Sequence, residues 1–136
     1  MTQEDKDLLL KDLSARLPYG VMMTNIELCE THYPLTCEDL HDAMYEEDWD
    51  DVPYLRPMSS MTEEEKKELK SATCPEGTGY FNEQYLICPM SHFCEHISYD
   101  FMSDILNWLN AHHFDYRNLV ERGLAIAVTE ENNPYK

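Results

Sequence analysis

Two long stretches of this chain contain no lysine or arginine, and they restrict the fold more than any motif does. The first runs from Leu17 to Leu55 and carries ten acids: Glu27, Glu30, Glu38, Asp39, Asp42, Glu46, Glu47, Asp48, Asp50 and Asp51. The second runs from Ser71 to Tyr116. The bases gather near the two ends and in the segment Arg56–Lys70. Carboxylates such as Asp48 and Asp50 cannot enter an apolar core unpaired, so they must find water or a partner. The formal net charge of −17 repels nucleic acid and anionic membrane and attracts basic surfaces. The plainest reading is a solvated acidic coat that aids solubility. The sharper one is a face matched to a basic partner.

The acids do not make the chain a disordered one. With 136 residues, 43% of them hydrophobic, it has the size and content of one domain with a core. No apolar run approaches the roughly 18–20 residues that span a bilayer. The opening "MTQEDKDLLLKDL" begins with acids and lacks the basic region of a secretory signal. A cytoplasmic protein is the expectation. Five cysteines, Cys29, Cys37, Cys74, Cys88 and Cys94, are an odd number without a signal, which argues for reduced thiols.

Periodicity predicts a first helix over Thr2–Leu17, capped by Thr2 and Asp5, with Leu9, Leu13 and Leu17 on one face. Asp7 and Asp12 stand four residues before Lys11 and Arg16, the favourable order for helical ion pairs. Pro18-Tyr19-Gly20 stops this helix, and Val21–Leu28 reads as a strand. The region Tyr33–Leu55 is ambiguous. Thr36 with Asp39 makes a capping box and Leu35 with Leu40 a hydrophobic staple, but Tyr33, Leu35 and Cys37 alternate as a strand would. In "PYLRPMSSMTEEEKKELK", Pro57 keeps Arg56 out of the helical region, and Thr62 with Glu65 caps a charged surface helix. Cys74–Gly79 reads as loop and Tyr80–Cys88 as a strand. Ser98 opens the most amphipathic helix, with Phe101, Met102, Ile105, Leu106, Trp108 and Leu109 on its apolar face. Asp115 is placed to cap a short helix over Tyr116–Arg122, closed by Gly123. The expected architecture is α+β, a small β-sheet unit flanked by an N-terminal helix and C-terminal helices. One domain is expected over residues 1–128, with 129–136 as a flexible tail.

The segments "DLLLKDLSARLPYGV", "PYLRPMSSMTEEEKKEL" and "LNAHHFDYRNLVERGLAI" resemble a family of short uncharacterised proteins carried by gut-bacterial prophages and mobile elements. The resemblance covers roughly a third of the chain. It implies a bacterial host cytoplasm and brings no activity or catalytic residues. It also implies a small β-rich unit before the "PYLRPMSSMTEEE" joint, which tips Tyr33–Leu55 toward strands. The Cys/His-rich stretch Cys74–His96 departs from the family pattern.

Two constellations bear on chemistry. Cys88, His92, Cys94 and His96 are thiolate and imidazole ligands suited to zinc, and their even offsets would share one face of a strand. Their spacing is not a standard zinc pattern, and buried thiols beside surface histidines explain them equally. His112, His113 and Asp115 offer an acid–base pair, though a helix C-terminal histidine and a capping aspartate are the simpler assignment. No phosphate loop, nucleophile elbow or metalloprotease motif is present, so no catalytic residue is assigned. The remaining lead is Glu46, Glu47, Asp48, Asp50 and Asp51 around Trp49, followed by Tyr54. Carboxylates steer a basic groove and an aromatic ring supplies buried area. The expected partner is a basic protein surface, such as that of a nucleic-acid-binding host or defence protein inhibited by charge mimicry. No direct contact with nucleic acid or membrane is expected. The rival readings are a zinc-stabilised interaction module and a small enzyme.

Overall fold

The computed structural model describes residues 1–25, 31–73 and 99–135. Within them the chain forms α1 (Gln3–Arg16), β1 (Met22–Asn25), β2 (His32–Pro34), α2 (Cys37–Tyr45), β3 (Asp51–Leu55), α3 (Glu63–Thr73), α4 (Tyr99–Ala111) and β4 (Ile126–Ala127). The strands make one mixed sheet in the order β2-β1-β3-β4. This is the expected α+β class. The strand predicted over Tyr80–Cys88, the loop at Cys74–Gly79 and the cap at Ser98 lie outside the described residues.

Local chemistry accounts for most boundaries. Thr2 and Asp5 form the capping box of α1, and Thr36 and Asp39 form that of α2, each satisfying backbone N–H groups that a helix start leaves open. Gly20 ends the turn after α1 at φ 70°, a left-handed conformation costly for any residue with a Cβ. The region 33–55 combines both of its readings: a strand, then the capped helix, then a second strand. Leu35 is buried in the core and Leu40 packs against the same cluster, as a staple requires.

β1 lies antiparallel to both β2 and β3, with Met23 opposite Tyr33 and Pro53. β3 runs parallel to β4, Tyr54 opposite Ile126. Pairing with β4 begins at Tyr54, so the missing N–H of Pro53 leaves no gap on that side. Beyond β3, Arg56 replaces a strand partner with the turn after α4: its N–H donates to His113 O at 2.7 Å and its carbonyl accepts from Asp115 N at 2.8 Å.

The "RPMSSMTEEE" joint does more than cap a helix. Glu65 closes the capping box with Thr62, and its carboxylate also takes both Arg56 nitrogens, at 2.6 and 2.7 Å. The Arg56 guanidinium holds the Glu65 carboxyl down at about 2, well below the usual range. The same guanidinium lies 4.2 Å from the centre of the Phe114 ring, a favourable cation–π distance. One arginine thus joins β3, α3 and the turn after α4.

The C-terminal third departs from expectation in two places. Residues 116–123 form turns rather than the predicted helix. Asn118 has φ 59°, which breaks a helical run, and the Asp115 carboxylate accepts from Leu119 N and Val120 N. The segment expected as a flexible tail returns to the sheet. The Tyr135 hydroxyl accepts from Met22 N at 3.0 Å and donates to Tyr54 O at 2.7 Å. The register makes Met22 and Tyr54 the next facing pair after Met23 and Pro53, so this hydroxyl stands where a ladder bond would run. Its ring stacks on His113 with centroids 3.8 Å apart. Burial, followed by the nearby Arg16, His112 and Arg56, pushes the His113 imidazole down to about 4.

Among the described residues, two apolar clusters fill the interior. The first joins Leu9, Leu13, Val21, Met23, Leu35, Leu55, Leu119 and Leu124 with Ala125. The second joins Met61, Leu69, Ile105, Leu109, Phe114 and Tyr116. Each fully buried leucine contributes roughly 1.5–3 kcal/mol. An ionic network connects the clusters. Arg16 and Asp12 are wholly buried and 2.7 Å apart. Arg16 Nη2 also donates to Phe114 O at 2.6 Å, and Arg117 Nε lies 3.2 Å from the second Asp12 oxygen. Both guanidinium groups lie over Tyr116, at 5.1 and 5.2 Å.

Removing Asp12 strands two guanidinium groups at a buried site. Asp12→Ala is expected to lower stability by on the order of 3–5 kcal/mol in urea unfolding. Asp12→Leu combined with Arg16→Met is expected to cost less than the two single changes together, because no unpaired Arg16 charge remains. A loss below about 1 kcal/mol for Asp12→Ala, the scale of a surface pair, would contradict this role.

Candidate functional site

The acidic segment Glu46–Asp51 leaves α2 and enters β3. Its start is tied down: Glu46 N donates to Asp42 O at 2.9 Å, and Lys6 Nζ on α1 donates to Glu46 O at 2.7 Å. Glu46, Glu47 and Asp48 then project into solvent, all three exposed. Trp49 turns partly inward. Its ring packs against the first core cluster, and its Nε1 donates to Asp51 O at 3.0 Å.

Asp50 and Asp51 have a different role from the acids before them. Asn25 Nδ2 donates to Asp50 Oδ1 at 2.8 Å and to Asp51 Oδ1 at 3.0 Å. The Tyr33 hydroxyl donates to Asp51 Oδ2. Burial, reinforced by that carboxylate, pushes the Tyr33 phenol well above its ordinary value. The phenol therefore stays protonated and remains a donor. These bonds fasten the start of β3 to β1 and β2 with polar side chains where the local chain has no cation.

Tyr54, assigned from the sequence to the partner-binding set, belongs to the interior. It is only 5% exposed, sits in β3 between β1 and β4, and meets His32 edge-on at 6.2 Å. Strand alternation places it on the opposite face from its neighbours Pro53 and Leu55, but the sheet is covered there too.

A groove of about 370 Å³ opens beside the acidic turn. Trp49, Val52 and Leu124 supply its apolar wall, and Asp5, Glu47, Asp48 and Asp50 its carboxylates. Met1, Arg122 and Gly123 complete the rim. Arg122 Nη1 stands 4.0 Å from Asp5 Oδ1 and is nearly half exposed, so it offsets only part of the charge. Gly123, at φ 76°, lets the chain turn sharply there. Carboxylates around an indole are suited to an ammonium or guanidinium group, through charge-assisted hydrogen bonds and the ring face.

Asp5 and the turn 122–124 belong to this groove but are remote in sequence from Trp49. Asp5 reads locally as a helix cap, and it is one; no local signal marks its second position. Cys88, His92, Cys94 and His96 lie outside the described residues, as does every cysteine except Cys37, which is free and exposed. Among the described residues no helix is long and apolar enough to cross a membrane. His113 and Asp115 do not meet as an acid–base pair: the imidazole stacks on Tyr135 while the Asp115 carboxylate binds backbone N–H groups. No protein-family model, no curated protein and no solved structure matches the chain.

Trp49 anchors the turn in this geometry, so truncating it affects folding. Trp49→Ala is expected to lower stability by on the order of 2 kcal/mol, less than a fully buried tryptophan would cost. Trp49→Phe should keep most of the packing and lose only the bond to Asp51 O, roughly 1 kcal/mol. Chemical unfolding of both variants decides it; an unchanged Trp49→Ala midpoint would mean that the ring does not hold the turn.

Proposed function

We propose that this chain is a non-enzymatic binding protein of the bacterial cytoplasm that occupies a basic surface on another protein. The observation that carries the reading is the groove in which Asp5, Glu47, Asp48 and Asp50 surround Trp49. The stretch from Leu17 to Leu55 contributes acids and no base, so the carboxylates outnumber the Arg122 guanidinium and the Met1 ammonium at the rim and leave the groove net negative. Such a cleft raises the local concentration of the opposite charge and speeds encounter.

The resemblance to prophage and mobile-element proteins supports a finer version. A groove that normally holds DNA or RNA presents such a cationic surface, and an acidic protein competes for it by matching the charge of the phosphates. The proposed target is a host nucleic-acid-handling or defence protein. Glu46, Glu47 and Asp48 steer the encounter; the groove with Trp49 receives a lysine or arginine side chain.

Calorimetric titration of the protein with a lysine-rich peptide tests the charge reading. From about 0.1 M to about 1 M salt the screening length falls from about 10 Å to about 3 Å, and affinity should fall roughly tenfold or more. The triple variant Glu46→Gln, Glu47→Gln, Asp48→Asn should mainly slow association. Binding that ignores salt, or a triple variant that associates as fast as the wild type, would contradict it.

A further inference from the structure

Basic partners are steered by acids, but a lasting complex needs buried apolar area, and Trp49 is largely committed to the core. The exposed apolar area near the acids lies elsewhere. On α2, Met44 is 55% and Tyr45 71% exposed. His41, Met44 and Tyr45 share one stripe at i, i+3 and i+4. Ala43, on the other side of the helix, is buried, and Leu40, one turn before Met44 and at the edge of the stripe, packs on the first cluster. The His41 and Tyr45 rings lie 4.7 Å apart at 48°. That contact restrains the Tyr45 ring before any partner arrives, which lowers the entropy lost on binding.

The charges around this stripe are arranged at a cost to the isolated chain. α2 has no basic residue in its last turn, and its C-terminal end carries the helix's partial negative charge. Glu46, Glu47 and Asp48 follow directly, adding like charge where a cation would be favourable. The Lys6 ammonium, on the Glu46 carbonyl, is one cation at this end against three carboxylates. A solvated coat needs no such placement, whereas a cationic segment lying along the end of α2 would relieve it.

We propose that the His41, Met44 and Tyr45 face of α2 is the apolar half of the docking surface, and that it takes a basic protein segment carrying an apolar face of its own. The inference rests on the charge reading above and adds the residues that hold the partner once it has arrived. Charge complementarity selects the occupant. A second copy would bring the same −17 against it, and an anionic membrane would be repelled.

Two synthetic helical peptides with the same lysines and leucines test it, one with the leucines on a single face and one scrambled. The wild type should bind the amphipathic peptide roughly tenfold more tightly. Met44→Ser with Tyr45→Ser should abolish that preference while leaving salt-dependent binding of the scrambled peptide. Equal binding of both peptides by the wild type would overturn the inference and leave the charge reading standing. Failure to bind either would overturn both. Concentration-dependent self-association lost in the double variant, without peptide preference, would give the face to a second copy and overturn the proposal. A double variant that melts well below the wild type would make the stripe structural, with the same consequence.

Discussion

Arg16 and Asp12 form an ion pair with no access to solvent, and the two halves of the interior meet through it. α1 belongs to the first apolar cluster by Leu9 and Leu13, yet Arg16 reaches the backbone of Phe114 in the second. Desolvating such a pair is expensive and is recovered only when the remaining polar groups are also satisfied. Phe114 O and the Tyr116 ring provide part of that setting, and Arg117 adds a positive charge 3.2 Å from Asp12, while Asp12 Oδ1, Arg16 Nη1 and Arg117 Nε make no hydrogen bond among the described residues. The arrangement fixes where the turn after α4 sits, and Arg56 in turn pairs with that turn and with Glu65. The contacts form one chain of constraints running from α1 through residues 113–117 to β3 and α3.

In a chain this acidic, that use of cations has a consequence. Asp12 and Glu65 take guanidinium groups; Asp115, Asp5 and Asp39 take backbone N–H groups; Asp50 and Asp51 take Asn25 and Tyr33. The fold satisfies these acids internally, mostly without cations. Asp5 and Asp50 serve both purposes, since they also line the groove; Glu46, Glu47 and Asp48 remain in water, next in sequence to the Met44–Tyr45 stripe. The separation between acids that build the fold and acids that face outward is what gives the binding proposal its location.

Much of this was legible in the sequence where the determining chemistry is local. The capping boxes at Thr2, Thr36 and Thr62 need only four consecutive residues, and each formed. The hydrophobic face of α4 and the positive φ at Gly123 were similarly readable. Asp12 and Arg16 were readable as a helical pair, but not as a buried one. The available signal was that Leu9, Asp12, Leu13 and Arg16 share one stripe, so the pair falls on the core-facing side. Tyr54 was misread because acidic neighbours suggested exposure, whereas a central strand covered on both faces buries it. Tyr135 and Asp5 depend on contacts across most of the chain, which no periodicity records.

Hydrogen exchange measured with and without an amphipathic lysine-rich peptide addresses the outward acids and their apolar neighbour together. The account predicts slowed exchange over α2, the turn 46–51 and residues 122–124, with α3 and α4 unchanged. Protection confined to α3 and α4, or a bound peptide that leaves α2 and the acidic turn exchanging as before, would contradict it.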